Sequence, residues 1–325
     1  MFRGWAGIVR VAPRAERFGA TAPSRYPRGM TPDDLLWIPF EVGLNVPVNG
    51  LTTRSGLLVE GTHGWGEWSP LPSWTEAENL LGRRAALEAA NSPFPAAERE
   101  AVVVAMLVPQ VPPALAAEVA LRGNCPVVKV QIGDPDGEER VAAVRDAIGP
   151  ERRLRLVVDA PWSENDAEHW IRRFAQYNPE YIQDPVAGAT AFARLRRRVT
   201  VPLAAGRGIT TPMDAARFGT TGAADVIVVK PQRVGGAAAT LDIADAAGLP
   251  VVLSSSLETS IGLAALVALA ASLPDHGYAH GLGTGALLTA DLVADPLLPI
   301  DGLLPVGRRA PILDLLAAPH TGPTC

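Results

Sequence analysis

The segment Val226-Ile-Val-Val-Lys230 and the turn after it, Pro231-Gln-Arg-Val-Gly-Gly236, carry the pattern that decides the fold. Val226–Val229 is apolar at every position, as strands buried on both faces of a parallel sheet are. The same unit of strand, loop and helix recurs through the chain. Apolar strands end at Val108, Ile132, Asp159, Gln183, Ala205, Lys230, Ser254 and near Tyr278. Asp159 to Gln183 is 24 residues, Gln183 to Gly206 is 23, Gly206 to Lys230 is 24 and Lys230 to Ser254 is 24. One strand–helix unit of a parallel barrel needs about that length. Helices over Gly137–Ile148 and Ala187–Arg198 fill the gaps. Seven or eight such units predict an α/β fold of the (β/α) barrel type. A doubly wound open sheet is the alternative, but no Gly-x-Gly-x-x-Gly follows the first strand.

Upstream of the repeat, Leu36–Val42, Gly56–Glu60 and Gly64–Ser69 read as strands punctuated by glycine and proline, and residues 76–91 as a helix. The chain has 325 residues, 48% hydrophobic and 19% charged, enough for a large core. A net charge of -5 argues against a nucleic-acid partner. No apolar run reaches the roughly 20 residues of a membrane span. Ile261–Leu273 has the length of a core helix. Two cysteines, Cys125 and Cys325, read as free thiols in a reducing, cytoplasmic setting. The Arg-rich residues 1–29 read as a disordered extension, or as sequence upstream of a start at Met30.

Only two lysines occur among the 29 cationic side chains, Lys129 in Val-Val-Lys-Val and Lys230. Where arginine is the default surface cation, a lysine is placed for what arginine cannot do, which is to lose its proton when desolvated. Two lysines at the ends of buried strands read as an acid/base pair facing one cavity, one of them with a lowered pKa. Snorkelling to solvent is the alternative. Barrel sites lie at the C-terminal ends of the strands, which selects Lys129, Gln131, Asp159, Gln183, Asp184, Gly206, Arg207, Lys230, Ser254, Ser255 and Ser256. Asp184 is expected to point away from Gln183 by strand alternation. In Gly281-Leu-Gly-Thr-Gly285, Gly283 and Thr284 are candidates to bind an anion, against the alternative of a tight turn. The five histidines lack metal-ligand spacing, and His280 is a candidate ligand contact. Trp65, Trp68 and Trp74 read as core of the N-terminal segment rather than a ligand stack.

These strand ends resemble the enolase superfamily, and within it the o-succinylbenzoate synthases of actinobacteria. The resemblance covers about residues 36–307. It rests on Leu253-Ser-Ser-Ser-Leu-Glu-Thr-Ser-Ile-Gly262, Gly281-Leu-Gly-Thr-Gly-Ala-Leu-Leu288 and Asp291-Leu-Val-Ala-Asp-Pro296. Gly64-Trp-Gly-Glu-Trp-Ser-Pro70 resembles the family's capping domain, and Val229-Lys-Pro-Gln-Arg-Val-Gly-Gly236 the strand with one catalytic lysine. The resemblance implies a modified TIM (β/α) barrel with an N-terminal α+β capping domain. The corresponding boundaries are 30–100 for the cap, 101–307 for the barrel and 308–325 for a C-terminal tail. It also implies dehydration by way of an enolate. A lysine removes the proton α to a carboxylate, a divalent cation on three carboxylates holds the product charge, and a second lysine stands opposite.

The sequence departs from that implied pattern at most of the chemistry. Lys-x-Lys becomes Lys129-Val-Gln131, which puts Gln131 where the usual base belongs. Asp159 keeps the first metal position, but Gln183 and Gly206 occupy the second and third, with Arg207 following. Pro161 and Asn49 replace an asparagine and an arginine of the family. One carboxylate and an amide make a poor Mg²⁺ site, so no cofactor is expected. The resulting expectation is a divergent, metal-independent lyase or cyclase. Lys129, Lys230 and Asp159 would be catalytic, and Arg207, Gln131, Gln183, Ser254–Ser256, Gly283 and Thr284 would bind a small-molecule carboxylate. Arg207 either takes the substrate carboxylate or fills the metal hole by pairing with Asp159. A non-catalytic ligand-binding or regulatory protein and an authentic o-succinylbenzoate synthase are the alternatives. The oligomeric state is left open.

Overall fold

The computed structural model describes residues 35–158 and 161–316. The expectations for segment 1–29, Met30, Asp159, Cys325 and the end of the tail therefore lie outside the described residues. The chain opens with an antiparallel sheet of β1 (Trp37–Val48), β2 (Leu51–Gly61) and β3 (Gly64–Trp68), followed by α1 (Glu76–Asn91). Asn49 and Gly50 join β1 to β2 with φ of 50° and 79°, the positive pair that Asn-Gly hairpin turns favour. Thr75 starts α1 with a capping box: its hydroxyl accepts from Glu78 N at 3.3 Å, and Glu78 accepts from Thr75 N at 2.8 Å.

The short β4 (Ala101–Val103) leads into the repeat: β5 (Ala105–Val108), α2 (Pro113–Ala120), β6 (Val127–Ile132), α3 (Gly137–Ile148), β7 (Arg153–Val158), α4 (Glu164–Phe174), β8 (Pro179–Gln183) and α5 (Ala189–Arg196). It continues through β9 (Leu203–Ala205), α6 (Pro212–Thr220), β10 (Val226–Val229), α7 (Pro231–Val234), α8 (Ala237–Ala247), β11 (Val251–Leu253) and α9 (Ser260–Ser272). Strands β5 to β11 form one parallel sheet in sequence order. The strand expected near Tyr278 contracts to two bridging residues. His280 pairs with Val104 and Gly281 with Ser254, so the segment between them closes the ring. Finally β12 (Leu303–Pro305) pairs with β4, and α10 (Leu313–Leu316) ends the described chain. The start of the expected tail is bound to the cap, where Arg308 donates to Ala89 O and Ser92 O.

Alternation along each strand separates two interiors. On β6, Val128, Val130 and Ile132 face outward into the main core, with Val141, Val144, Ile171, Phe192 and Phe218 of the helices. Each such side chain stabilises the fold by about 1.5–3 kcal/mol. Val127, Lys129 and Gln131 face inward. Below the site the barrel is filled by Tyr181, Ala204, Val226, Val228 and Val252.

Helix α9 is apolar on all sides and, apart from Ala265, buried from Ser260 to Ala271, because β3 of the cap covers the face that the barrel leaves free. Its N-terminus is held by two carboxylates. Glu67 accepts from Thr259 N at 3.1 Å and Gly262 N at 3.0 Å, and Asp291 accepts from Ser260 N at 3.2 Å. Glu88 of α1 does the same for α8, accepting from Ala237 N at 2.7 Å and Ala238 N at 3.0 Å.

Candidate active site

A cavity of about 510 Å³ lies where the strand ends of the barrel meet the cap. Its floor and walls include Lys129, Gln131, Gln183, Asp184, Gly206, Arg207, Lys230, Ser254, Ser255, Ser256 and Thr284. The cap contributes the hairpin tip at Val48, Asn49 and Leu51 and the loop Leu71-Pro72-Ser73-Trp74. Nearly every candidate of the sequence reading is thus brought to one place, apart from Asp159 outside the described residues. Gly283 is not in the lining. A side chain there would meet Ala105 O at 2.6 Å, so this glycine serves close packing against β5.

Both lysines reach the cavity from inward positions. Lys129 is 8% exposed. Burial, reinforced by repulsion from Lys230, pushes its pKa down to about 7, against the pull of Asp184. Lys230 is lowered as well, chiefly by burial, with Glu258 working against the shift. Its Nζ donates to Ser255 O at 2.9 Å. Lys129 is thus buried rather than snorkelling, and Lys230, half-buried, is tethered to the backbone of the cavity wall.

The strand end Gln183-Asp184 corrects the expectation for Asp184. Its φ of 55° takes it out of strand geometry, and its carboxylate turns into the cavity beside Gln183 rather than away from it. Asp tolerates this left-handed conformation better than most residues. Asp184 Oδ1 accepts from Gly206 N at 2.8 Å and Arg207 N at 3.0 Å, and Oδ2 accepts from Gln183 Nε2 at 2.8 Å. Gln183 Oε1 is buried without a partner among the described residues. Gly206 fits this arrangement because a side chain there would meet Gln183 Nε2 at 2.7 Å. Glutamine at 183 and glycine at 206 are therefore sterically coupled.

Gln131 donates through Nε2 to Asn49 Oδ1 at 3.0 Å, which ties the hairpin tip of the cap to the mouth of the barrel. Arg207 lies exposed at the rim and has no ion pair among the described residues. Beside it, Arg233 donates to Arg207 O at 3.2 Å and to Glu78 of α1 at 2.5 Å, a second clasp between cap and barrel. Ser255 Oγ shares a 2.6 Å hydrogen bond with Thr284 Oγ1. His280 does not line the cavity. Its Nδ1 accepts from Leu253 N at 3.0 Å, and burial lowers its pKa to about 4, so it is a neutral structural group. Trp68 and Trp65 pack in the cap core, whereas Trp74 faces the cavity.

Sequence reasoning passed over three groups beneath the site. Arg155 is fully buried and pairs in register with Lys129 on the adjacent strand. It is fixed by Glu180, by Ala279 O at 2.7 Å and by the ring of Tyr181 at 4.7 Å. Its inward alternation with Val157 was the available signal. Glu67 and Glu258 are buried between cap and barrel. Burial pushes Glu67 up to about 7 and raises Glu258 as well. No short-range sequence pattern marks that pair.

A barrel with its site at the strand ends under an α+β cap is the architecture of the enolase superfamily, and the chain belongs to it. Residues 113–311 match the family described as Enolase C-terminal domain-like, and residues 40–90 match Enolase N-terminal domain-like. Among its relatives, the o-succinylbenzoate synthase of Thermobifida fusca (strain YX) is 43% identical over 274 residues, 83% of this chain and 86% of that protein. The o-succinylbenzoate synthase of Mycobacterium ulcerans (strain Agy99) is 37% identical over 82% of this chain and 83% of its own length. Solved structures share the fold at lower identity. The muconate lactonizing enzyme of Pseudomonas fluorescens has a TM-score of 0.73 at 20% identity, covering 87% of this chain and 97% of that one. The L-Ala-D/L-Glu epimerase of Bacillus subtilis has a TM-score of 0.72 at 19% identity, covering 85% and 96%. No helix among the described residues is long and apolar enough to cross a membrane.

Proposed function

We propose that the chain is a lyase of the o-succinylbenzoate synthase type, moving protons with Lys129 and Lys230 on a small carboxylated metabolite. The observation that carries this reading is the pair of buried lysines on one cavity, with Lys129 held near 7. An amine of that pKa is substantially neutral at physiological pH and can take a proton. Kinship at 43% identity with a protein named o-succinylbenzoate synthase supports the substrate class. Arg207 and the hydroxyl of Ser254 hold the substrate carboxylate. Lys129 takes the proton α to it, and the electron pair moves to expel a β-hydroxyl. That oxygen leaves as water with a proton from the Lys230 ammonium. The site resets when Lys129 passes its proton back through solvent.

We propose further that this happens without a divalent cation. Mg²⁺ prefers carboxylates and water. Among the described residues at the strand ends, both oxygens of Asp184 are already engaged, Gln183 offers a neutral amide and Gly206 offers nothing. No group of three His, Cys, Asp or Glu among the described residues is arranged to hold a metal. The described residues do not fit the ion, and no step is assigned to it.

The test is an assay for dehydration to o-succinylbenzoate, with and without EDTA. Turnover that EDTA leaves unchanged supports both parts. EDTA-sensitive turnover removes metal independence and leaves the lysine assignment. A protein that binds the substrate without converting it is a binding protein, and the lyase reading fails.

A further inference from the structure

We propose that Lys129 is a nucleophile as well as a base, and that the cavity condenses a 2-oxo acid with its amine to form a protonated imine. This rests on the reading of the cavity as a site for small carboxylates and goes beyond it, because proton transfer alone forms no bond to the protein.

The two lysines are held in unlike ways. Lys230 donates to Ser255 O at 2.9 Å and faces the Glu258 carboxylate, which supports its ammonium against burial and the nearby Arg233 and Arg54. Lys129 has no hydrogen-bond partner among the described residues. It stands in register between Leu107 and Arg155. The Arg155 guanidinium, immobilised by Glu180, Ala279 O and Tyr181, is a permanent cation one strand away. Among the described residues, the amine without a hydrogen bond is thus the one beside a fixed positive charge, with Asp184 pulling the other way, and the amine anchored to a carbonyl is positioned to give a proton. Arg207 at the rim is a carboxylate anchor of suitable chemistry. A buried lysine with these properties is the usual starting point for Schiff-base chemistry. An iminium also provides an electron sink built from the chain's own atoms, where the described donors do not suit a cation.

The step balances. The Lys129 Nζ lone pair forms a bond to the carbonyl carbon, and the C=O π pair moves to oxygen. That oxygen leaves as water, carrying one hydrogen from the Lys129 amine and one from the Lys230 ammonium. The second hydrogen of the Lys129 amine stays on the iminium nitrogen. Lys230 ends neutral, the positive charge now lies on the iminium, and no oxidant or reductant takes part.

Full-length protein is incubated with pyruvate and sodium borohydride, which reduces an imine irreversibly, and the adduct is located by peptide mass. The chain has only two lysines, so assignment is direct. The expected result is a single adduct on Lys129 with the mass of pyruvate less one oxygen atom. Lys129→Arg abolishes it, and Lys230→Arg slows its formation about 10²-fold, as loss of a general acid does. In ¹⁸O-labelled water, wild-type protein also catalyses label entry into the pyruvate carbonyl, a readout that needs no variant to fold. Absence of an adduct on Lys129 in the wild type, or equal labelling of both lysines and the N-terminus, overturns the proposal. The dehydration assay on the same preparation separates the two readings. Turnover without an adduct leaves proton transfer standing and removes the imine, and an adduct without turnover does the reverse.

Discussion

Lys129 and Gly206 concentrate the chemical consequences at the scale of single residues. A base must be neutral and its partner acid protonated, so kcat/KM should rise with pH through about 7, following the lowered Lys129 pKa, and fall again at higher pH as the Lys230 ammonium is lost. Lys129→Met should cut kcat by about 10²–10⁴-fold without lowering the melting temperature, since a buried amine gives way to an apolar chain of similar length. A flat pH profile, or a variant of near wild-type rate, would remove Lys129 from the chemistry. Gly206→Asp brings its new side chain against Gln183 Nε2. Alone it should destabilise the fold by about 1–3 kcal/mol, the usual range for overpacking, and should not create a Mg²⁺ site. Thermal melts and calorimetric titration of the variant check both statements. At this scale the sequence was readable wherever period-2 alternation held, which placed Lys129, Gln131, Gln183 and Lys230 inward. Asp184 escaped it because a positive φ breaks the alternation, and that φ depends on Gly206 N and Arg207 N, 22 and 23 residues away.

Between elements, carboxylates from the cap fasten it to helix starts on the barrel. Glu88 covers two N–H groups of α8, and Glu78 grips Arg233 of α7. Glu88→Ala should cost about 0.5–2 kcal/mol, the range for losing an N-terminal cap, read as a shift of the denaturant midpoint at unchanged slope. A midpoint equal to wild type would show that water replaces the carboxylate without loss. The repeat of strand and helix was legible because spacing and apolar runs are local properties. The expected helix 187–198 shortened to Ala189–Arg196 because Gly188, at φ 78°, begins it late. The eighth strand was over-read. A run near Tyr278 carries no mark that it will meet both edges of a sheet through only two residues.

Across the whole molecule, buried acids between cap and barrel set a pH dependence of stability. Glu67 keeps its proton to about 7 in the folded chain, against an ordinary value of 4.5. Between those values the folded state binds more protons than the unfolded state, so its contribution to stability falls as pH rises from about 4.5 to about 7 and is level beyond. Glu258 is shifted the same way. His280, lowered to about 4, acts oppositely below its ordinary 6.5, so the informative quantity is the difference between wild type and Glu67→Gln. That variant should lose the downward slope and gain relative stability towards pH 7, measured by urea unfolding across the range. A difference independent of pH would show that Glu67 is ionised throughout.

The ring closure at His280 and Gly281 has a further bearing on how the molecule breathes. Seven strands are laced edge to edge, but the last gap is fastened by the few backbone bonds of Ala105, His280, Gly281 and Ser255, with side-chain bonds from His280, Thr284 and Arg155 beside them. It is a seam, and a seam parts before the cloth. Amides of Ala105, Gly281 and Ser255 should exchange with deuterium sooner than those in the middle of β6 and β7. Ala105, Gly281, Ser254 and Thr284 also line the cavity on both sides of that seam. A ligand lying there acts as a stitch, and its arrival should be visible as slowed exchange along this one line of the barrel.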